Sequence, residues 1–162
     1  MQLLEFPSRQ TIFLDANIFI YHATGTYPSC AVVFERALRR DIQAVTSVAI
    51  VTEVHHRLMA WEAAQQLGRP LRSIPSFLKR HPERIRALRR CHLITERLRA
   101  LRIKVLPLTL GVVDEAQRLS HALGLLTTDA IIVATMRRRG LAHLASNDRD
   151  FLRVPGLTLW RP

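Results

Sequence analysis

The sequence predicts an α/β protein with a central parallel sheet of four to five strands flanked by helices. Short β-prone apolar runs alternate along the whole chain with segments of helical periodicity, which is typical of a parallel sheet wrapped by helices. The 162 residues are 48% hydrophobic and 23% charged, a composition that excludes disordered and fibrous proteins. A chain of this length can bury one hydrophobic core without the help of disulfides. We therefore treat residues 1–162 as a single domain.

The first half of the chain predicts two strands and three helices. Residues 11–14 are a short apolar run that predicts a buried strand, and a helix begins near Asn17. Residues 30–40 place apolar and charged side chains on opposite faces of a second helix. Ser47 is a good N-cap for a third helix, and Gly68 is a typical helix-ending residue. The remaining boundaries are a strand at residues 43–46 and a helix at residues 48–67.

The second half predicts three more helices and three more strands. Residues 69–81 are predicted to be a connection with one helical turn around residues 76–78. Pro82, at a first helical position, predicts a long helix that ends near Leu101. Capping residues and β-prone runs indicate the other elements. These are a strand at 105–108, a helix capped by Thr109 and ending at Leu123, a helix at 129–139 capped by Thr128, and strands at 142–146 and 157–160.

Positive charge is concentrated in one part of the chain. The protein has 24 Lys and Arg against 13 Asp and Glu, and residues 36–104 hold 16 of the basic but only 5 of the acidic residues. Such a surface attracts polyanions, and guanidinium groups suit bidentate phosphate contacts, so we expect a nucleic-acid partner, although an acidic protein would also be attracted. We define residues 68–102 as the basic segment, which is predicted to be mainly helical. The arginines expected to contact phosphates there are Arg84, Arg86, Arg90 and Arg97.

The cysteines and the apolar runs predict neither a disulfide nor a membrane span. Cys30 and Cys91 lie 61 positions apart without a CxxC pattern, so we expect two ordinary reduced thiols and no thiolate metal site. The longest apolar runs, such as residues 130–136, are far shorter than the ~20 residues of a membrane helix. The start of the chain lacks the basic and apolar pattern of a signal peptide. These observations predict a cytoplasmic protein.

Four acidic residues occur where predicted strands end or predicted helices begin. Asp15 follows the first strand, Asp148 follows the fourth, and Asp129 starts a helix. Glu53 lies in the second turn of the helix after the second strand, from which its side chain can reach the same edge of the sheet. Because ligands gather at the carboxyl ends of parallel strands, we expect these carboxylates to lie together. Like charges raise one another's pKa, and a bound Mg²⁺ or Mn²⁺ would remove that conflict.

Each acidic residue also has an ordinary structural explanation. The alternatives are a helix cap for Asp15, a helix-start carboxylate for Asp129, a turn residue for Asp148 and a solvated helix position for Glu53. Four acids at related positions of one fold favour a site over four separate coincidences. His55 and His56 also suggest metal binding, but neighbouring residues on a helix point about 100° apart, so both cannot face one metal.

Several short motifs occur in order along the chain. They are Phe13-Leu14-Asp15-Ala16-Asn17, Thr46-Ser47 followed by Glu53-Val54, Thr128-Asp129-Ala130-Ile131-Ile132-Val133-Ala134, Ser146-Asn147-Asp148-Arg149-Asp150-Phe151 and Val154-Pro155-Gly156-Leu157. This set resembles the PIN-domain ribonucleases, and in particular the VapC-type toxins of bacterial toxin-antitoxin pairs. The resemblance covers about residues 11–160. The chain departs from compact VapC toxins in a longer stretch between Glu53 and Asp129, with the excess at residues 68–92.

The resemblance implies a PIN-like domain whose acidic residues bind Mg²⁺ or Mn²⁺. The implied acidic quartet is Asp15, Glu53, Asp129 and Asp148, with the metal held by the three aspartates. Asn17, together with Ser146 or Thr46, is expected to support the site by hydrogen bonding. We prefer Asp148 to Asp150 as the fourth acid because Asp148 comes directly after the strand end. The alternative is that Asp150 is the ligand instead of Asp148; otherwise Asp150 is a supporting residue. The family also implies a cognate antitoxin and a homodimer.

The expected activity is that of a metal-dependent endoribonuclease in which water, rather than a side chain, attacks the phosphodiester. Glu53 would bind metal through water or act as a general base, and Arg149 would neutralise charge in the transition state. Three alternatives stay open: a PIN nuclease of RNA processing that is not a toxin, a haloacid-dehalogenase-type phosphohydrolase, and a non-catalytic nucleic-acid-binding module. The dehalogenase type needs a second acid two residues after the first, where this chain has Asn17.

Overall fold

Five parallel strands form the centre of the computed structural model, which describes residues 1–162. They are β1 (Thr11–Leu14), β2 (Gln43–Ser47), β3 (Lys104–Leu106), β4 (His143–Ala145) and β5 (Thr158–Trp160). Their order across the sheet is β3-β2-β1-β4-β5, and every neighbouring pair is parallel. The predicted parallel sheet is therefore confirmed, with five strands. β3 ends before Pro107, which has no N–H to donate to a ladder.

Eight α-helices flank the sheet. They are α1 (Ala16–Thr24), α2 (Pro28–Leu38), α3 (Val48–Leu67), α4 (Ile74–Arg80), α5 (Pro82–Ala87), α6 (Ile94–Ala100), α7 (Leu110–Leu123) and α8 (Thr127–Arg138). Short 3-10 helices lie at Leu3–Glu5, Leu71–Ser73, Cys91–Leu93 and Arg149–Arg153. No single helix is long and apolar enough to cross a membrane. Only α7 and α8 taken together have the required length and apolar character, and this pair is bent by 115°.

The central strand β1 is the most deeply buried part of the sheet. Ile12, Phe13 and Leu14 are each 0% exposed, and consecutive strand residues point to opposite faces. Both faces of the sheet are therefore covered at this strand, as expected for a parallel sheet. In the ladder, Phe13 pairs with Val45 on β2 and with Leu144 on β4. Asp15, which directly follows β1, is thus positioned by pairing of that strand with β2 on one side and β4 on the other.

The helix boundaries follow local capping chemistry in most places. The Ser47 hydroxyl accepts the Ile50 N–H at the start of α3, and the Thr109 hydroxyl accepts the Val112 N–H at the start of α7. Gly68 ends α3 with a φ of +60°, a left-handed conformation that suits glycine. The prediction that Thr128 caps the next helix was wrong. α8 begins at Thr127, two residues before the predicted start at residue 129, so Thr128 lies inside its first turn.

The basic segment differs from its prediction in two places. The expected connection at residues 69–81 contains α4, a two-turn helix. The expected long helix from Pro82 to Leu101 is interrupted, because Leu88 has an extended backbone with a ψ of 145°. The chain then forms a 3-10 turn before α6 begins. This break lets the segment fold back, so that α4, α5 and α6 all contact α3.

One buried carboxylate holds the interrupted helix against α3. Glu62 is 6% exposed, and its carboxylate accepts the backbone N–H groups of Arg89, Arg90 and Cys91 at 2.9, 3.1 and 3.0 Å. These donors are unpaired N–H groups at the start of a helical turn, which need an acceptor when they are buried. Burial acts to raise the pKa of Glu62, but the three backbone donors outweigh it and hold the pKa below its ordinary value.

We expect Glu62→Gln to destabilise the protein by about 1–3 kcal/mol, because the amide nitrogen cannot accept a hydrogen bond and would face a backbone donor. The Tm should fall by roughly 2–10 °C in a domain of this size. The measurement is thermal unfolding in the presence of a metal chelator. Glu35→Gln, at an exposed glutamate on α2, is the matched control and should leave the Tm almost unchanged. Equal effects of the two variants would contradict the anchoring role of Glu62.

Candidate active site

The sheet topology creates a cleft at the carboxyl ends of β1 and β4. From β1 the chain proceeds to β2 and β3 on one side of the sheet, whereas β4 and β5 lie on the other side. Ligands of parallel α/β sheets bind at such a reversal of strand order. Asp15 directly follows β1, and Ser146 directly follows β4. The fold therefore places the first sequence-predicted aspartate beside the loop that carries Asp148.

Asp15 is fixed by three hydrogen bonds. Its Oδ1 accepts the Ala16 N–H at 2.6 Å and caps α1, while its Oδ2 accepts from Asn17 Nδ2 and from Ser146 Oγ, each at 2.6 Å. Ser146 is fully buried, and its oxygen also accepts from Asn17 Nδ2 at 2.9 Å and from the Asp148 N–H at 3.0 Å. Asn17 and Ser146 thus hold the Asp15 carboxylate in a single orientation.

Burial raises the pKa of Asp15 from 3.8 to about 6. The hydrogen bonds from Ser146 and Ala16 act in the opposite direction, and the nearby Glu53 charge adds a smaller increase. The side chain is only 8% exposed, so water stabilises its charge poorly. A cation in the cleft would lower the free energy of the ionised carboxylate.

A second group of carboxylates lies across the cleft. Oxygen atoms of Asp129, Asp148 and Asp150 all lie within 4.8 Å of one another. Asp129 is in the first turn of α8, and Asp148 caps the 3-10 helix at Arg149–Arg153 by accepting the Asp150 N–H at 2.8 Å. Burial, together with the charges of Asp148, Asp15, Asp150 and Glu53, raises the pKa of Asp129 to about 6.

The carboxylates line a cleft of about 510 Å³ that also contains two arginines. Asp15, Glu53, Asp129 and Asp148 all line it, so the structure brings the predicted quartet together. Asp150 does not line the cleft, and its carboxylate is paired with Arg153. Of the two candidates for the fourth acid, only Asp148 therefore faces the open space.

The donor set of the cleft fits a hard divalent cation. Its acidic ligands are oxygen atoms from several carboxylates, and no thiol or imidazole lines the cleft. Mg²⁺ and Mn²⁺ prefer oxygen ligands. Burial, and to a smaller extent the neighbouring carboxylates, raise the pKa of Asp15 and of Asp129, so a cation bound there would favour their ionised forms. The residues present therefore match the Mg²⁺ or Mn²⁺ expected from the sequence.

The remaining predicted residues lie further from the carboxylates. Thr46 is buried, and its hydroxyl donates to the Leu14 carbonyl at 2.9 Å, so it braces β1 and β2 and does not line the cleft. Arg149 does line the cleft. Of the arginines predicted to contact phosphates, Arg84, Arg86 and Arg90 are exposed on the basic segment, and Arg97 borders a separate apolar groove between α1, α2, α3 and α6. None of these four lines the acidic cleft.

Two cleft residues were missed by the sequence analysis. Arg57 lines the cleft and forms an ion pair of 2.6 Å with Glu53, one helical turn earlier on α3. The four-residue spacing of Glu53 and Arg57 is the signal that would have found this pair. Asn147 donates its backbone N–H to Asn17 Oδ1 at 3.3 Å and its side chain to the Tyr21 hydroxyl at 3.2 Å. Its role depends on contacts more than 100 positions apart in sequence, which no local pattern reveals.

Comparisons with known proteins agree on the fold. The family model of the PIN domain matches residues 12–157. The solved structure of VapBC2 from Rickettsia felis bound to a promoter DNA fragment is similar with a TM-score of 0.57 and 14% identity, over 93% of this chain and 98% of that chain. VapC20 of Mycobacterium tuberculosis, a toxin that cleaves the sarcin-ricin loop, has a TM-score of 0.57 and 16% identity, over 89% and 95%. No curated protein sequence matches the chain.

We expect Asp129→Asn to stabilise the metal-free protein near neutral pH, because it removes a carboxylate that folding partly buries and places among like charges. Relief on the order of 1 kcal/mol would raise the Tm by about 2–4 °C. The raised pKa means that the folded protein binds more protons than the unfolded chain between pH 3.8 and about 6, so wild-type stability falls as the pH rises through this range.

The gain in stability from Asp129→Asn should therefore shrink as the pH is lowered from neutral to about 4. Below that pH the Asp129 carboxyl is protonated in both the folded and the unfolded state. Thermal unfolding in chelator, at constant ionic strength over this pH range, is the measurement. Asp114→Asn, at an exposed aspartate on α7, is the control. A variant less stable than the wild type at neutral pH would contradict the proposed crowding of charge.

Proposed function

The chain belongs to the PIN-domain family, and on this basis we propose that it is a metal-dependent endoribonuclease, specifically the toxin of a VapC-type toxin-antitoxin pair. The observation that carries the proposal is the acidic cleft at the carboxyl ends of β1 and β4. A protein with a formal net charge of +11 gathers four of its acids at one cleft, next to two arginines. This arrangement suits metal-assisted hydrolysis of a phosphate ester. For binding alone it would be unfavourable, because carboxylates repel the phosphates of a polyanion.

In this proposal Asp15, Asp129 and Asp148 hold Mg²⁺ or Mn²⁺. The bound ion supplies Lewis-acid chemistry, in which a water is activated and the charge on phosphoryl oxygens is neutralised. Ser146 and Asn17 keep Asp15 oriented through the 2.6 Å hydrogen bonds to its Oδ2. Asp150 is a supporting residue, because its backbone N–H fixes Asp148 while its own carboxylate is paired with Arg153.

Glu53 and the two arginines of the cleft would act on the water and on the phosphate. Glu53 is positioned on α3 to accept a proton from the attacking water. Its carboxylate forms an ion pair of 2.6 Å with Arg57, which also lines the cleft, and this contact fixes its orientation. Arg149 is exposed and lines the cleft, so its guanidinium can contact a non-bridging phosphate oxygen. No side-chain nucleophile is required.

The proposed substrate is RNA, held along its backbone by the basic segment. Arg84, Arg86 and Arg90 are exposed there and do not line the cleft, so they are available to contact phosphates away from the cleaved bond. Phosphate contacts fix the register of a strand without reading its sequence. The choice of RNA is therefore a property of the cleft walls and of RNA shape rather than of these arginines.

We also propose a cognate antitoxin as partner and a homodimer as the toxin's own assembly. Support comes from the structural neighbours, which include toxin-antitoxin complexes that cover almost the full length of this chain. An antitoxin segment that carries a basic side chain would be complementary to the acidic cleft.

Cleavage should require the acidic cleft. We expect Asp129→Asn, in the presence of Mg²⁺ or Mn²⁺, to reduce cleavage of structured and unstructured RNA by about 100-fold or more, because transition-state charge is no longer stabilised. EDTA should abolish wild-type cleavage. Asp114→Asn is the matched control and should cleave like the wild type. Equal RNA binding by wild type and Asp129→Asn with no cleavage by either would instead favour a binding module.

The toxin assignment makes a separate prediction in cells. Induced expression in a bacterium should arrest growth with the wild type and not with Asp129→Asn at equal protein level. Co-expression of the cognate antitoxin should restore growth and yield a co-purifying complex. Cleavage of RNA in vitro without growth arrest would point to an RNA-processing nuclease.

A further inference from the structure

A group of side chains of the types that ligate metals lies where the basic segment packs against α3, away from the acidic cleft. His55 on α3 meets Cys91 and His92 on the 3-10 turn that follows the break at Leu88. One ligand atom of each of the three residues lies within 4.8 Å of the other two. The two imidazole rings are 5.4 Å apart between centroids. None of the three residues lines the acidic cleft.

His55 carries an unsatisfied polar atom in this cluster. Its Nε2 is buried and has no hydrogen-bond partner. Buried polar atoms without partners are rare in folded proteins, because burial removes the hydrogen bond that water would give. Cys91 is fully buried and supplies a sulfur atom at the same place, whereas His92 is exposed and leaves one side of the cluster open to solvent.

The sequence analysis treated these residues as unrelated to metal. Cys91 has no nearby cysteine in sequence, and the adjacent His55 and His56 cannot face one metal. The structure resolves the second point, because His55 joins the cluster and His56 is exposed outside it. The ligands come from two elements 36 positions apart, and only the fold of the basic segment onto α3 brings them together.

We propose that His55, Cys91 and His92 form a Zn²⁺ site. Imidazole nitrogen and thiolate sulfur are the preferred ligands of Zn²⁺, and a tetrahedral ion would bring these atoms to about 3.3–3.6 Å from one another. The ligand atoms now lie within 4.8 Å of one another, so rotations of the side chains would have to shorten these distances by about an ångström. The open side beside His92 leaves the fourth position to a water molecule.

A carboxylate lies beside the proposed sulfur ligand. Glu62 accepts the Cys91 N–H at 3.0 Å, and burial together with this charge raises the pKa of the Cys91 thiol to about 11, so the thiolate forms only when a cation replaces the proton. On binding, the Cys91 thiol releases its proton to solvent and the sulfur binds Zn²⁺ as a thiolate. The imidazoles bind through neutral nitrogen atoms.

Zn²⁺ at this position would cross-link the basic segment to α3. The ion would add a second attachment next to the hydrogen bonds that Glu62 makes with Arg89, Arg90 and Cys91. It would thereby fix the segment that carries the exposed arginines. This role is structural and is independent of the nuclease activity proposed above.

The test is Zn²⁺ binding to the purified, chelator-treated protein. A double variant, Asp129→Asn with Asp148→Asn, serves as the starting protein so that the acidic cleft does not compete. We expect one Zn²⁺ per chain, and a Tm higher by roughly 5–10 °C at a hundredfold excess of Zn²⁺ over its Kd. Co²⁺ in place of Zn²⁺ should give the near-ultraviolet charge-transfer absorption of a cobalt-thiolate bond.

Three variants and two controls decide the outcome. Cys91→Ser, His55→Gln and His92→Gln should each weaken Zn²⁺ binding by about 100-fold or more and remove the cobalt-thiolate signal or shift it. Cys30→Ser, at the other buried thiol, and His56→Gln, at the adjacent exposed imidazole, should bind as before. His92→Gln changes an exposed side chain, so it tests the site even where a core variant fails to fold. Zn²⁺ binding that is absent, or unchanged in Cys91→Ser and His92→Gln, would overturn the proposal.

Discussion

The architecture depends on the carboxylate of Asp15, which is buried at the end of the central strand and has to be satisfied there. One oxygen caps α1 through the Ala16 N–H, and the other is bound by Asn17 and Ser146. Because Ser146 follows β4, this single group connects the ends of two neighbouring strands with the first helix. The same Ser146 oxygen accepts the Asp148 N–H, so the position of the second carboxylate is set by the group that holds the first.

The charge distribution of the molecule follows from this constraint. Folding brings Asp15 and Asp129 into a common cleft with other acids, and the pKa of each carboxyl rises to about 6. The positive charge that would balance them is carried mainly by the basic segment, whose exposed arginines lie outside the cleft. Only Arg57 and Arg149 line it. The exposed positive charge of the basic segment thus lies apart from the place where negative charge accumulates.

The sequence predicted those features that depend on neighbours along the chain. The strand before Asp15, the Ser47 and Thr109 caps and the glycine end of α3 each rest on a few adjacent residues, and the structure has them as predicted. The grouping of the acidic quartet was predictable because parallel strands share one edge. The break at Leu88 was not, since the donors it exposes are bound by Glu62, which lies 27 to 29 positions earlier. Thr46, the alternative to Ser146 as a supporting residue, donates its hydroxyl to the Leu14 carbonyl and so connects β2 with β1, a contact between residues 32 positions apart that no local pattern shows.

Helix α3 has a consequence for the size of a substrate. It carries Glu53 at the acidic cleft and Glu62 at the anchor of the basic segment, nine positions apart, which is about 13–14 Å along a helix axis. A rigid helix keeps this spacing constant whatever is bound. Under the proposed function, a nucleic-acid strand that contacts both the cleft and the part of the basic segment held by Glu62 has to span this distance. A very short oligonucleotide would then occupy the cleft alone.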